Sequence, residues 1–67
     1  MTTVRRVVRF LERHGYRKTR QTGSYLILEH SERRTLVIPM HRGTLPKGLF
    51  LHILKDAGFT LEEFRRT

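Results

Sequence analysis

Near the beginning of the chain, apolar residues recur at the i, i+3, i+4, i+7 spacing of an amphipathic helix: Val4, Val7, Val8 and Leu11. Most positions between them hold arginine or glutamate, which would lie on the opposite side of such a helix. Thr3 is a suitable N-cap, because its hydroxyl can accept a hydrogen bond from a free backbone N–H. Gly15 can adopt the left-handed conformation that commonly ends a helix. The pattern therefore predicts a first helix between Thr3 and Gly15.

The middle of the chain has a period of two, which predicts strands. Residues 24–30 are the best-marked strand, with a tyrosine followed by bulky aliphatic side chains. Successive side chains of a strand point to opposite faces, so Leu26 and Leu28 share one face. The other face then holds Tyr25, Ile27 and Glu29. If the leucines face the core, we expect Tyr25 on the open face of the sheet or at its edge.

Weaker signals flank this strand. Residues 16–21 are polar and basic and only weakly indicate a strand, and residues 22–23 form a plausible turn before the next one. Residues 31–33 suit a hairpin connection to a third strand at residues 35–38. Pro39 cannot donate to a ladder, so this strand ends there or lies at an edge.

Residues 40–48 are predicted to form a loop that runs into the first of two further helices. A second helix begins near Pro46, since proline is tolerated in a first turn, and Gly58 ends it. Its apolar stripe is Leu49, Phe50, Ile53, Leu54 and Ala57.

Thr60 and Glu63 then have the spacing of a capping box, and Phe59 and Phe64 that of a hydrophobic staple, which predicts a short third helix. The expected fold is α+β in the order α-β-β-β-α plus a helical turn, with a three-stranded antiparallel sheet and helices on one face.

Length and composition limit the function. With 67 residues, the chain is expected to form a single domain, residues 1–67, that is too small to enclose a cofactor. It has no cysteine, which leaves no disulfide and no thiolate metal site. It has neither the apolar region of a signal peptide nor about 18 consecutive apolar residues, so we expect a cytoplasmic protein without a membrane partner.

Net charge is the strongest compositional signal. Fourteen lysines and arginines, mostly arginine, stand against six acidic residues, which gives a formal charge of +8. The guanidinium fork matches phosphate and can stack on bases. This balance favours nucleic acid or another polyanion as partner. An acidic protein partner, or a surface that only confers solubility, are the alternatives.

The segment GSYLILEHSERRTLVIPMHRGTLPKGLFLHILKDAG resembles the HicA (YcfA-like) family of toxin–antitoxin systems. The residues that match in order and spacing are Gly23, Ser24, Pro39, His41, Gly43, Leu45, Gly48, Ile53, Leu54, Ala57 and Gly58, with Leu11 and the run His14, Gly15 and Tyr16 upstream. The likeness covers nearly the whole chain. It implies a fold like that of double-stranded-RNA-binding domains, an mRNA interferase that cleaves RNA, and neutralisation by a HicB-like antitoxin protein.

The resemblance also implies a catalytic histidine directly after Gly-Ser, and here that position holds Tyr25. Metal-free RNA cleavage requires a group that deprotonates the 2′-hydroxyl and one that protonates the leaving oxygen. Imidazole titrates near neutrality, whereas a phenol with a pKa of about 10 is a poor base at pH 7. Three interpretations of Tyr25 are open: an ordinary strand aromatic, an RNA contact in a weakened or inactive enzyme, or a catalyst.

The other histidines are weaker candidates. His41 could substitute for the missing histidine, or could simply cap the second helix or bond the backbone. We expect His30 to be solvated, and His14 and His52 to be partly exposed helix residues. No pair has the spacing of metal ligands, so no metal and no other cofactor is predicted.

The resemblance and the charge together give a set of candidate RNA-binding residues: Arg17, Lys18, Arg20, Gly23, Ser24, His41, Arg42 and Lys47. The three basic residues of the first strand could form a rim around Tyr25, although Arg17 and Lys18 must point to opposite faces. The loop from His41 precedes a helix N-terminus, where free N–H groups favour an anion, and Lys47 in the first turn would suit a bound phosphate.

Two functions therefore remain open. One is a HicA-like mRNA interferase, which Tyr25 could weaken or inactivate, that acts on mRNA without metal or small-molecule cofactor. The other is a non-catalytic module, derived from HicA, that binds RNA or the antitoxin.

Overall fold

The computed structural model describes residues 2–40 and 44–66 of the chain. Its elements are α1 (Val4–Arg13), β1 (Arg17–Thr22), β2 (Tyr25–Glu29), β3 (Leu36–Pro39), α2 (Lys47–Ala57) and α3 (Leu61–Arg65). The strands form one antiparallel sheet in the order β1-β2-β3. The predicted α+β fold in the order α-β-β-β-α is confirmed, including the end of β3 at the edge of the sheet at Pro39.

The predicted signals at both ends of α1 are confirmed. The Thr3 hydroxyl accepts a hydrogen bond from the Arg6 N–H at 3.2 Å, and Gly15 has a φ of 97°. The buried stripe differs by one residue from the prediction, because Phe10 is buried whereas Val8 is only half-buried. The helix is rotated so that the larger aromatic side chain, rather than the valine, enters the core.

The core lies between the helices and one face of the sheet. Leu26 and Leu28 of β2 are buried, together with Leu36 and Ile38 of β3, whereas Val37 on the opposite face is 54% exposed. The leucines pair across the strands with the buried residues of β3, so the alternation of the two strands is in phase. This register gives the sheet one covered and one open face.

Tyr16 belongs to the core, not to a strand. Its ring is buried and its hydroxyl donates a hydrogen bond to the Arg34 carbonyl at 2.7 Å. Burial raises the pKa of the Tyr16 phenol, Arg33 opposes the rise and Asp56 adds to it. The hydrogen bond satisfies the hydroxyl, which is the only polar group of this side chain, and fixes the β2–β3 connection against the core.

Arg33 and His30 hold the β2–β3 connection in place. The Arg33 guanidinium donates to the Ala57 carbonyl at 2.8 Å, at the C-terminus of α2, and lies 4.3 Å from the centre of the Phe59 ring. His30 accepts a hydrogen bond at Nδ1 from the Glu32 N–H, so its Nε2–H can donate to the His14 carbonyl at 2.9 Å. The expectation that His30 is solvated is wrong: the ring is half-buried and both nitrogens are bonded.

A capping box begins α3. The Thr60 hydroxyl accepts from the Glu63 N–H at 3.1 Å, and the Glu63 carboxylate accepts from the Thr60 N–H at 2.8 Å. Phe59 and Phe64, predicted as a hydrophobic staple, both pack edge-on against Phe10, with ring centres 5.1 and 5.2 Å away. The short helix is therefore attached to α1.

The capping box should make α3 sensitive to acid. The hydrogen bond from the Thr60 N–H lowers the pKa of Glu63 below its ordinary value of 4.5. The stabilisation is therefore fully present above pH 4.5 and is lost as the pH falls through the lower pKa of the folded state. NMR titration should show the Thr60 amide resonance moving as Glu63 is protonated. In Glu63→Gln, which keeps an acceptor that does not titrate, this movement should be absent; the same titration there would contradict the assignment.

Candidate functional site

A two-residue turn places Tyr25 at the start of β2. Thr22 and Tyr25 are paired across the hairpin, which leaves Gly23 and Ser24 as the turn, one residue later than predicted. Gly23 has a φ of 47°, as the first position of a II′ hairpin turn requires. The Ser24 carbonyl accepts a hydrogen bond from the Met40 N–H at 2.7 Å, so the chain leaves β3 beside this turn.

Tyr25 lies on the open face of the sheet. Its side chain is 49% exposed, and its cross-strand partners are Thr22 on β1 and Pro39 on β3. Within the described part of the chain its hydroxyl forms no hydrogen bond, and the exposed Val37 belongs to the same face. The prediction that this residue points outward is confirmed. Its phenol is free to meet a ligand.

A β-bulge places two arginines on the face of Tyr25. The register advances from Lys18 opposite Leu28 to Arg20 opposite Ile27, which leaves Thr19 as an extra residue. Arg17 and Arg20 therefore both share a face with Ile27, although strict alternation over their spacing of three would separate them. Arg20 is the diagonal neighbour of Tyr25, at a typical distance of roughly 7–8 Å.

Lys18 lies on the other side of the sheet. It pairs with the buried Leu28, which confirms that Arg17 and Lys18 point to opposite faces. Lys18 lines a groove of about 640 Å³ between the sheet and α1, together with Arg5 and Arg9. It is thus not part of the surface around Tyr25, and its role in RNA binding stays a prediction.

The remaining candidates are divided between two places. Gly23 and Ser24 form the turn next to Tyr25, whereas Lys47 begins α2 and lines a groove on the helix side. His41 and Arg42 fall outside the described residues. The structure thus brings Arg17, Arg20 and the turn together with Tyr25, and places Lys18 and Lys47 elsewhere.

The histidines that the structure describes have structural contacts. His14 caps α1, and its ring lies 4.4 Å from Phe10 and 4.8 Å from Phe59. The Nε2 atom of His52 lies 3.2 Å from the Asp56 carboxylate, on the exposed side of α2. Among residues 2–40 and 44–66, no three His, Cys, Asp or Glu side chains are grouped so that they could hold a metal ion.

The bulge is the feature of this site that the sequence analysis missed. Nothing in the polar run of β1 marks Thr19 as an extra residue, since glycine, the usual signal in a strand, is missing there. The paired strand decides it, because β2 has a clear alternation that fixes the register on either side. Only the observed pairing shows that Arg20, rather than Lys18, accompanies Tyr25.

Comparison with known protein families identifies the family to which the chain belongs. Residues 4–59 match the family described as HicA toxin of bacterial toxin–antitoxin systems. No curated protein matches the chain. Of the helices that the structure describes, none has the length and apolar character needed to cross a membrane. The match spans α1 to the end of α2, with the open face and Tyr25 inside it: this chain belongs to the HicA family and is the toxin of a toxin–antitoxin system.

Proposed function

We propose that this toxin acts on RNA as an mRNA interferase, with the RNA strand lying across the open face of the sheet at Tyr25. The observation that carries the proposal is the half-exposed ring of Tyr25, in the position where the family resemblance implies the catalytic histidine. Arg20 and Arg17 share this face, so two cations of β1 are available to the phosphates of a bound strand.

Each side chain of this surface has a definite chemical capacity. In cleavage, the 2′-oxygen attacks phosphorus, the bond to the 5′-oxygen breaks, and the 2′-proton passes to a base while the leaving oxygen gains a proton. The Tyr25 hydroxyl can donate a hydrogen bond to a phosphate oxygen, and its ring can stack on a base for about 1–3 kcal/mol. Arg20 can stabilise the charge that develops on phosphorus.

The base is what the described surface lacks. Among the residues that the structure describes, Glu29 has the only carboxylate on the open face, no histidine lies there, and Glu29 is four residues, roughly 13 Å, from Tyr25 along β2. His41 lies outside the described residues. If it does not act as the base, water must accept the 2′-proton, and the acceleration of about 10²–10⁴-fold that is typical of a positioned acid or base is lost. In that case the proposed enzyme is slow.

A second candidate function is a module that binds RNA or its antitoxin without cleavage. The same missing base favours it, and so does Val37, an exposed apolar side chain on the face of Tyr25 that suits a protein partner. The two candidates share the surface and differ in whether RNA is cut.

Binding and cleavage of a single-stranded RNA test the proposal. With about four phosphates neutralised, log K should fall with log salt at a slope near −3. Arg20→Gln should reduce the magnitude of this slope by about 0.7, the contribution of one phosphate. The matched control is Arg34→Gln, which removes an exposed arginine near Asp56 rather than near Tyr25.

Slow cleavage that is lost in Tyr25→Ala supports the interferase. Binding without any cleavage supports the second candidate. A salt-independent affinity, or equal effects of Arg20→Gln and Arg34→Gln, would contradict RNA binding at this face.

A further inference from the structure

A groove opens on the helix side of the molecule, away from Tyr25. It lies between the start of α1, the start of α2 and the short helix α3, and has a volume of about 440 Å³. Its apolar lining is Leu45, Phe50, Leu51, Leu61 and Phe64. Leu51 and Leu61 are half-buried, so part of this lining is open to a ligand. The volume lies within the range of small-molecule sites.

Three cations from three helices surround this groove: Arg6 of α1, Lys47 of α2 and Arg65 of α3. All three are exposed, and none of the described residues that line the groove is acidic. Converging charges of one sign, without a counter-charge from the protein, raise the local concentration of anions.

The N-terminus of α2 lies at the same groove. Lys47 is the first residue of the helix, no side chain caps the N-terminus at Pro46, and the first turn contains no acidic residue. The free N–H groups of a first turn favour an anion, whereas the charge of Lys47 opposes the helix dipole. A bound anion would be stabilised by the N–H groups and by Lys47 together.

Gly48, in this first turn, is not explained by the fold. Its φ is not positive, and a Cβ built there would meet no atom within 4 Å. Alanine would therefore fit and would favour the helix. The backbone of Gly48 is instead open to close approach, which is a known use of glycine beside a bound ligand.

Thr2 supplies an independent observation. It lines the groove and is only 5% exposed, yet its hydroxyl oxygen has no hydrogen-bond partner in the part of the chain that the structure describes. Buried hydroxyl groups are normally hydrogen-bonded, because an unsatisfied one is unfavourable. A polar ligand in the groove would give this group a partner.

We propose that this groove binds a nucleotide through its phosphate. The phosphate lies at the Gly48 end of α2 between Lys47, Arg6 and Arg65, and the base covers Leu51 and Leu61. The phosphate can belong to a free nucleotide or to the terminal nucleotide of an RNA chain. The site is separate from the open face and does not depend on RNA cleavage.

Titration of the ¹⁵N-labelled chain with AMP tests this site. AMP should shift the amide resonances of Gly48 and Leu49, and adenosine, which lacks the phosphate, should bind at least about tenfold more weakly. Lys47→Gln should weaken AMP binding by about tenfold without lowering the melting temperature, because it removes a cation that lines the groove and opposes the helix dipole. Lys55→Gln, which removes an exposed cation at the other end of α2, should leave the affinity unchanged.

Two further comparisons complete the test. Thr2→Val should weaken AMP binding while leaving the fold at least as stable, since it removes an unpaired hydroxyl. A 5′-phosphorylated oligoribonucleotide that binds more tightly than both AMP and its 5′-hydroxyl form identifies an RNA end; equal binding of AMP identifies a free nucleotide.

Unchanged resonances at Gly48 and Leu49, or equal AMP affinity in Lys47→Gln and the parent chain, would overturn the nucleotide site. Because these resonances belong to α2, the result is distinct from any failure of RNA binding at Tyr25.

Discussion

Replacing Tyr25 with histidine should raise the rate of RNA cleavage by about 10²–10⁴-fold, the usual contribution of a positioned acid or base. The variant puts an imidazole at a half-exposed position of the open face, beside the diagonal neighbour Arg20. Imidazole accepts a proton near neutral pH, which the phenol does not. The measurement is digestion of a defined RNA by the two purified chains, together with growth arrest on induced expression.

A control must show that the increase depends on the position of the imidazole at residue 25. Val37→His places the same imidazole on the same face, at a side chain that is 54% exposed, and should give no comparable increase. Tyr25→Phe keeps the ring and removes the hydroxyl, so a loss of residual activity there shows that the hydroxyl takes part. Equal cleavage by Tyr25→His and the parent chain would mean that RNA is not positioned at this residue.

Truncation of Leu28 to alanine should remove a large part of the free energy of unfolding. Leu28 is fully buried at the centre of the sheet, and such substitutions cost about 2–5 kcal/mol. At roughly 0.05–0.15 kcal/mol per residue, a chain of this length has a free energy of unfolding of only about 3–10 kcal/mol. Urea denaturation followed by circular dichroism should show the loss.

Val37→Ala is the matched control for this prediction, because it removes an aliphatic side chain from the open face of the neighbouring strand. It should change the free energy of unfolding by about 0.5 kcal/mol or less. Comparable losses from the two substitutions would show that the open face is covered in solution, contrary to the observed burial.

The substitutions at Tyr25 and Leu28 concern opposite faces of the same strand. Tyr25 and Leu28 are three residues apart in β2, so alternation places one outside and one inside. The inner face holds the sheet on the helices, and the outer face is thereby left free to carry chemistry. A change at Tyr25 can therefore alter function with little effect on stability.

Local signals in the sequence were sufficient to predict most elements of the fold. Thr3, Gly58 and the pair Thr60 and Glu63 act within one helical turn, and their hydrogen bonds or backbone angles were found as predicted. The alternation of β2 likewise predicted that Tyr25 points outward. These features depend only on near neighbours in the chain, so no knowledge of the fold was needed.

Short-range signals in the sequence could not predict which residues surround Tyr25. The bulge that moves Arg20 to the face of Tyr25 exists only in the pairing of β1 with β2, and the polar sequence of β1 is compatible with either register. The groove proposed to bind a nucleotide likewise combines residues from three helices, and no sequence spacing connects Arg6 with Lys47 and Arg65.

By itself, then, the sequence determined the order of helices and strands, their caps, the family and the outward position of Tyr25, because each follows from short-range periodicity or from an ordered motif. Tertiary structure alone decided which cations accompany Tyr25, that Phe10 rather than Val8 enters the core, and that His30 and Arg33 hold the β2–β3 connection. The physical reason is that these outcomes depend on strand register and on contacts between residues far apart in the chain.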